Sequence, residues 1–311
     1  MPLKELKTDT ENTLTIERIL HTKRYSLTLD KTLCIGCEIC QITCPREAIE
    51  IKKTPKKNGE KAQRPIFDVS EQKCSYCGMC EPICPFSALE VRIDGQRMVP
   101  VLEKESFPKL IREIEVDPTK CDIDCIDCQE VCPLNLISVK ILAPGGKEIS
   151  PEEARSLPNK ENLKVKVNIK KNLSPCCRLC ELKCPKGAIH VRKIMHGILR
   201  INLEKCPDGC QDCLDVCPIP GALYLDESDK KVHTNETFCV FCGTCKIVCP
   251  VKEALVLDRR TIHHTPVSSG AWNKALEKLT SAKEYTKEAK TKALTKAKKM
   301  AEKRLLLKEA S

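Results

Sequence analysis

The sequence predicts an α+β protein assembled from short repeated units that fold around metal sites. Three observations lead to this: the excess of cysteine over aromatic residues, a repeated cysteine spacing, and short stretches of alternating polarity beside each cysteine group. The 311 residues include 24 Cys but 10 Phe, Tyr and Trp together. A single large core needs more aromatic bulk than this, so an ordinary globular enzyme of this length is excluded.

Every cysteine belongs to one of six groups of four, here called quartets one to six. In chain order they are Cys34, Cys37, Cys40 and Cys44; Cys74, Cys77, Cys80 and Cys84; Cys121, Cys125, Cys128 and Cys132; Cys176, Cys177, Cys180 and Cys184; Cys206, Cys210, Cys213 and Cys217; and Cys239, Cys242, Cys245 and Cys249. Quartets one, two and six have the C-x2-C-x2-C-x3-C-P spacing of bacterial-type [4Fe–4S] ferredoxins, and quartets three and five have one extra residue. In two-cluster ferredoxins the fourth cysteine binds the other cluster. The pattern predicts six [4Fe–4S] clusters with all 24 cysteines as ligands.

Quartet four departs from this spacing. Cys177, Cys180 and Cys184 keep their positions, but Ser174 stands where the first cysteine belongs, and Cys176 lies directly before Cys177. The match of 24 cysteines to six clusters favours Cys176 as the displaced first ligand. A three-iron cluster or a non-cysteine fourth ligand are the alternatives.

A proline follows the fourth cysteine of each quartet and suits the first turn of a short helix, which completes a sixfold repeat. Structural zinc would favour two C-x2-C pairs separated by a longer loop, often with His. Disulfides would need an export signal, and the polar residues 1–24 do not resemble one. We therefore expect a cytoplasmic iron–sulfur protein.

Short strands are predicted around the first two quartets, over residues 25–30, 49–53, 66–69 and 89–93. This is the plan of one two-cluster ferredoxin. We predict tandem bacterial-type two-cluster (2[4Fe–4S]) ferredoxin domains followed by a long C-terminal helix. The predicted boundaries are 1–105 for quartets one and two, 106–197 for three and four, 198–262 for five and six, and 263–311 for a basic helical tail.

The last four quartets allow two pairings. In the sequential pairing, quartet three pairs with four and five with six, so that both units open with an x3-spaced quartet. In the nested pairing, quartets four and five form a unit inside one made by three and six, which a compact hairpin over residues 190–203 would suit. A linker at 99–112, a strand at 113–116, a helix start at Ser150-Pro151 and a hairpin over 222–237 are also predicted.

The formal charge of +10 is unevenly distributed. Residues 260–311 contain 13 basic and 5 acidic side chains, which leaves a net charge of +2 for residues 1–259. Apolar residues recur at helical spacing over about 270–308, which predicts one long helix that either packs on its own units or docks on a partner. Because no aromatic residues alternate with the lysines, nucleic acid is not expected, and no apolar stretch is long enough for a membrane span.

Six clusters in one chain predict an electron wire, and no nucleotide-binding loop or nucleophile–base pair indicates catalysis. Residues 25–260 resemble archaeal polyferredoxins, and the six cysteine repeats carry that resemblance. Within that class the chain is similar to the polyferredoxin subunit of formylmethanofuran dehydrogenase from methanogens. The resemblance implies a non-catalytic electron-transfer subunit that connects a tungsten or molybdenum site with external electron donors during CO2 reduction.

Three alternatives remain at this point. The first is a freely diffusing low-potential electron carrier, and the second is a polyferredoxin of a hydrogenase complex. The third, from a different class, is a zinc- or iron-binding interaction protein that docks through its tail. The partners expected in the first reading are the catalytic and electron-input subunits of a redox complex. The donor, the acceptor, the direction of flow and the order of potentials are not specified by the sequence.

Overall fold

Short antiparallel strand pairs enclose the cysteine quartets in the computed structural model, which describes residues 4–57, 59–157, 160 and 162–281. The part with quartets one and two contains β1 (Lys4–Asp9), β2 (Thr13–Ile19), β3 (Arg24–Asp30), α1 (Ile39–Thr43), β4 (Ile49–Lys52), β5 (Ile66–Val69), β6 (Leu89–Ile93), β7 (Gln96–Arg97) and α2 (Pro100–Glu103). Strand β3, before quartet one, pairs with β6, after quartet two, and β4–β5 is a hairpin between the quartets.

The part with quartets three and four follows the same plan. It contains β8 (Ile114–Val116), α3 (Asp127–Glu130), β9 (Ile137–Leu142), β10 (Glu148–Ile149), α4 (Pro151–Ser156), β11 (Lys164–Ile169), α5 (Leu179–Lys183) and β12 (Ile189–Val191). β8 pairs with β12, while β9 pairs with β10 and β11. Helix α4 begins where the sequence predicts, because the Ser150 side chain and Glu153 form a reciprocal capping box.

The part with quartets five and six contains β13 (Met195–Ile201), α6 (Asp212–Val216), β14 (Leu223–Leu225), β15 (Val232–Thr234), α7 (Thr244–Val248), β16 (Leu255–Ile262) and α8 (Gly270–Thr280). β13 pairs with β16, and β14 pairs with β15. Residues 190–203 therefore do not form one compact hairpin, since their two strands, β12 and β13, pair with β8 and β16. Each long strand pair encloses two consecutive quartets.

The C-terminal helix is shorter than predicted. Helix α8 ends at Thr280, and Ser281 has an extended backbone that interrupts the predicted helix over 270–308. The rest of that prediction, residues 282–311, lies outside the described residues. Trp272 on α8 is buried and packs edge-on against Phe107, with ring centroids 5.2 Å apart. The start of the tail is thus part of the core.

The N-terminal residues form structure that the sequence analysis did not predict. β1 and β2 are an antiparallel pair that continues the sheet of β3, in the order β1-β2-β3-β6-β7. The signal was the alternation of Thr13, Leu14, Thr15 and Ile16, in which Leu14 and Ile16 are buried. Within the described residues, no helix is long and apolar enough to cross a membrane.

Candidate metal centres

The loops between the first three cysteines of a quartet turn sharply, and left-handed backbone conformations make these turns. Gly36, Tyr76 and Phe241 each have a φ between +50° and +70°. At Gly36 a Cβ atom would lie 2.4 Å from the Pro65 carbonyl oxygen, so this loop also needs glycine for close packing. A short helix then carries the third cysteine in several quartets, as α1 carries Cys40 and α7 carries Cys245.

Four cavities in the described part of the chain are each lined by four cysteines, three of them close in sequence and one from the neighbouring quartet. The sets are Cys121, Cys125, Cys128 and Cys184; Cys132, Cys176, Cys177 and Cys180; Cys206, Cys210, Cys213 and Cys249; and Cys217, Cys239, Cys242 and Cys245. The exchange of the fourth cysteine is the arrangement of two-cluster ferredoxins.

Quartets one and two make the same exchange. Burial is the main cause that raises the pKa of Cys34, Cys37 and Cys40. The charge of the Cys84 thiol, from quartet two, raises the pKa of all three further. Likewise Cys44 is a charged neighbour of Cys74 and Cys80. The charged neighbours of quartets one and two thus follow the same exchange as the four cavities.

Backbone amides point at the fourth cysteine of quartets one to four. The N–H groups of Ala48, Ala88, Leu136 and Ala188 donate to Sγ of Cys44, Cys84, Cys132 and Cys184 over 3.2–3.4 Å. Each donor stands four residues after its cysteine. Hydrogen bonds of this kind stabilise a thiolate and are one of the means by which proteins tune iron–sulfur centres.

The thiols are costly to ionise without a cation. Burial raises the pKa of Cys128 and Cys176 to about 11 and that of Cys180 and Cys239 to about 12, and the charges of neighbouring cysteines raise it further in most of these cases. Four thiolates in one cavity therefore require a multivalent positive centre. Iron with four thiolate ligands supplies this, so the donor set fits a [4Fe–4S] cluster.

A single ion fits less well than a cluster. Among the described residues, which include all 24 cysteines, no group of three or more His, Cys, Asp or Glu side chains is placed to surround one metal ion. Thiolates lie about 2.3 Å from zinc and so crowd together around it. The same 24 cysteines form no disulfide with one another in this structure.

Cys176, the displaced cysteine of quartet four, lies in the cavity with Cys132, Cys177 and Cys180. Its side chain is 1% exposed, and its backbone adopts a positive φ of 56°. Ser174 also lines this cavity, and its hydroxyl accepts a hydrogen bond from the Cys176 amide over 3.1 Å. Ser174 thus orients Cys176 in the loop.

Three basic residues, two of them buried and one half-buried, were missed by the sequence analysis and lie where the cysteine cavities of different parts of the chain meet. They are Arg112, Lys193 and Arg259, the first two in the connections between successive strand frames and the third on β16. No sequence signal separates them from the other 50 Lys and Arg, because their neighbours are distant in sequence.

The two-cluster arrangement of strands and cysteine cavities defines the class of protein. A family model described as the 4Fe-4S dicluster domain matches residues 33–88 and 205–253. Comparison with curated protein sequences finds no match. The chain is an iron–sulfur protein of the ferredoxin type.

Similarity to a solved structure narrows this class. The chain is similar to a chain of the formate dehydrogenase–heterodisulfide reductase–formylmethanofuran dehydrogenase complex from Methanospirillum hungatei, with 33% identity and a TM-score of 0.76, over 90% of this chain and 92% of the other. The chain belongs to the archaeal polyferredoxin family, and it resembles the polyferredoxin subunit of formylmethanofuran dehydrogenase.

Proposed function

We propose that this chain is the non-catalytic electron-transfer subunit of a methanogen redox complex and carries six [4Fe–4S] clusters. The observation that carries the proposal is the grouping of the 24 cysteines into six sets of four, each completed by a cysteine of the neighbouring quartet. Each bound cluster would accept and release one electron, and a neighbouring cluster would supply or receive it. The cysteines hold the clusters, and the buried loops exclude water from them.

The proposal includes three two-cluster units in sequential order. The pairings of β3 with β6, β8 with β12 and β13 with β16 support quartet pairs one–two, three–four and five–six over the nested alternative. The cavities support the same pairs, since Cys184 completes the set of quartet three and Cys249 that of quartet five. We place the boundary between the second and third units near residue 194, because β13 begins at Met195.

All 24 cysteines are the proposed ligands, Cys176 included. Anaerobic purification with metal analysis should give about 24 irons per chain. Replacing either Cys176 or Cys177 by Ser should reduce the iron content and the number of EPR-active spins by one cluster, whereas Ser174→Ala should keep the iron. Full iron in Cys176→Ser would mean that Cys176 is no ligand, and stoichiometric zinc with little iron would favour an interaction protein.

The proposed partners are the catalytic and electron-input subunits of a formylmethanofuran dehydrogenase complex, in the cytoplasm. Similarity to a chain of the M. hungatei complex supports this. Purification of the native protein under anaerobic conditions should yield the chain together with a tungsten or molybdenum subunit. A chain that always runs alone would be a free carrier, and one that runs with a hydrogenase would be a hydrogenase polyferredoxin.

A further inference from the structure

The three units meet at three cysteine cavities, here called the junction cavities, and leave three others at the periphery. The junction cavities contain Cys34, Cys37, Cys40 and Cys84; Cys132, Cys176, Cys177 and Cys180; and Cys217, Cys239, Cys242 and Cys245. The peripheral cavities contain the other twelve cysteines. Lys246, next to Cys245, lies 3.7 Å from the carboxylate of Glu38, next to Cys37, which places the cavities of the first and third units beside each other.

Arg112 lies between the first and second units. Its guanidinium donates to the carbonyl oxygens of Cys84 and Ser174, each over 2.9 Å, and to the Ser87 hydroxyl over 3.1 Å. The charged groups that act on it are the thiols of Cys176 and Cys84, one from each of two junction cavities. Among the described residues no carboxylate forms an ion pair with Arg112.

Lys193 has the same place between the second and third units. It is 7% exposed, donates to the Glu236 carbonyl oxygen, and lies 4.9 Å from the centroid of the Phe241 ring. The charges that act on it are those of Cys239 and Cys177, again from two junction cavities, together with Glu236 and the like-charged Arg178. No ion pair with a carboxylate is found for Lys193 in the described part of the chain either.

Arg259 lies between the third and first units. It is 4% exposed and donates to the carbonyl oxygens of Phe241 and Cys242, each over 2.8 Å. The nearest carboxylate, Glu38 beside Cys37, stands 3.8 Å away. A Cβ atom at Gly243 would lie 2.9 Å from Arg259 Nη2, so glycine leaves the space that this guanidinium occupies.

Burying or half-burying a cation without a counter-charge is costly, so Arg112 and Lys193, which form no ion pair with a carboxylate in the described residues, need a nearby negative group. Arg259 has a long ion pair with Glu38 and contacts the same cysteine loops. A [4Fe–4S] cluster with four thiolates carries a charge of about −2, which becomes about −3 when it takes up one electron. A fixed cation therefore stabilises the reduced state more than the oxidised state. The peripheral cavities lack a buried Arg or Lys bridging two units in the described residues.

On the basis of the proposed cluster binding, we infer that Arg112, Lys193 and Arg259 raise the reduction potentials of the three junction clusters above those of the peripheral clusters. Electrons that enter at any peripheral cluster then collect at the junction and are distributed among the units from there. The three basic residues are positioning residues, which act through charge on the clusters that their loops hold.

The test is an EPR-monitored redox titration of the full-length, anaerobically purified chain with dithionite, in which each cluster takes one electron and no bond is made or broken. The clusters that are reduced first in the titration are expected to be the junction clusters. At a fixed solution potential, Arg112→Gln and Arg259→Gln should each lower the ratio of reduced to oxidised junction cluster by about ten-fold. This corresponds to a fall of about 59 mV in reduction potential for one electron. Arg259→Lys keeps the charge and should restore the wild-type titration.

The matched control is Lys186→Gln, which removes an exposed lysine beside the peripheral cavity of Cys121 and Cys184 and should leave the highest-potential fraction unchanged. The inference would be overturned if Arg112→Gln and Arg259→Gln keep their full iron and titrate like the wild type. It would also be overturned if the reduction potentials of Arg259→Lys shift as far as those of Arg259→Gln. If these Gln variants lose iron, Lys193→Gln is titrated in their place, and a titration superimposable on that of the wild type would overturn the inference. Low iron in the wild type would instead refute the proposed function.

Discussion

The junction cavities and the peripheral cavities use the same cysteine spacing but differ in their surroundings. Seven of the twelve junction cysteines are buried, against two of the twelve peripheral ones. Two buried cations, Lys193 and Arg259, and the half-buried Arg112 stand at the junctions, whereas most peripheral cysteines are partly accessible to solvent. The cysteine spacing is thus common to both kinds of cavity, while the contacts between units determine the burial of the cysteines and the charge beside them.

The largest effect is expected from removing one cysteine from each kind of cavity in the same unit. Cys245 and Cys213 are both buried third cysteines, the first at the junction and the second at the periphery. Ser at either position should remove about four irons. Cys245→Ser should also lower the thermal midpoint of the whole chain by the larger amount, since an emptied core cavity costs about 2–5 kcal/mol and three units share this one. Equal midpoints would show that the junction adds no stability.

Helix α8, through Trp272, covers one side of the junction cavity that contains Cys40. Helix α8 contacts α1, which carries Cys40, and Trp272 is 1% exposed against Phe107 and His264. Trp272→Ala should reduce the free energy of unfolding by about 3–5 kcal/mol, measured by denaturant unfolding of the anaerobic protein. Trp272→Phe should lose less of the free energy of unfolding than Trp272→Ala. Tyr224→Ala, at a 44% exposed position, should leave the free energy of unfolding almost unchanged. A small effect of Trp272→Ala would mean that α8 is not part of the core.

The peripheral cavity of the third unit is covered by a loop from the first. Lys56 forms an ion pair with Asp212, and the Ala62 amide donates to Asp215 over 2.8 Å. Lys56→Ala should loosen the loop and increase the rate of iron release to a chelator by a few-fold, about 2–5-fold for a partly exposed ion pair. Lys61→Ala on the same loop is the control, and identical rates for all three proteins would show that the loop gives no protection.

The smallest effect is expected at an exposed contact between the second and third units. His263 Nε2, 3.0 Å from Glu113, and Arg192 hold the pKa of the Glu113 carboxyl below its ordinary value. A lowered pKa means that this contact stabilises the fold above about pH 4.3 and is lost as the pH falls through the folded-state value. The midpoints of wild type and Glu113→Gln should therefore differ at pH 7 and converge toward pH 4. Glu115→Gln, two residues further along the chain in β8, should show no such convergence.

Local features were the most predictable ones. The strands next to quartets one and two were predicted within one residue of those observed, because their alternating polarity and the cysteine spacing act over a few residues. The capping box at Ser150 was confirmed for the same reason. The positions of Arg112, Lys193 and Arg259 were not predictable, since each depends on loops more than 15 residues away in sequence. The end of α8 at Thr280 was not predicted, because periodicity does not show where a helix ends without a capping signal.

The exchange of the fourth cysteine has a consequence for biosynthesis. Cys40 leaves the ribosome 44 residues before Cys84, which completes its set. At about 5–20 residues per second, roughly two to nine seconds pass in which three thiols of that set have no fourth. On the proposed ligand set, neither cluster of a unit would have its four ligands until both quartets have been synthesised, so the two sites of a unit would become complete together.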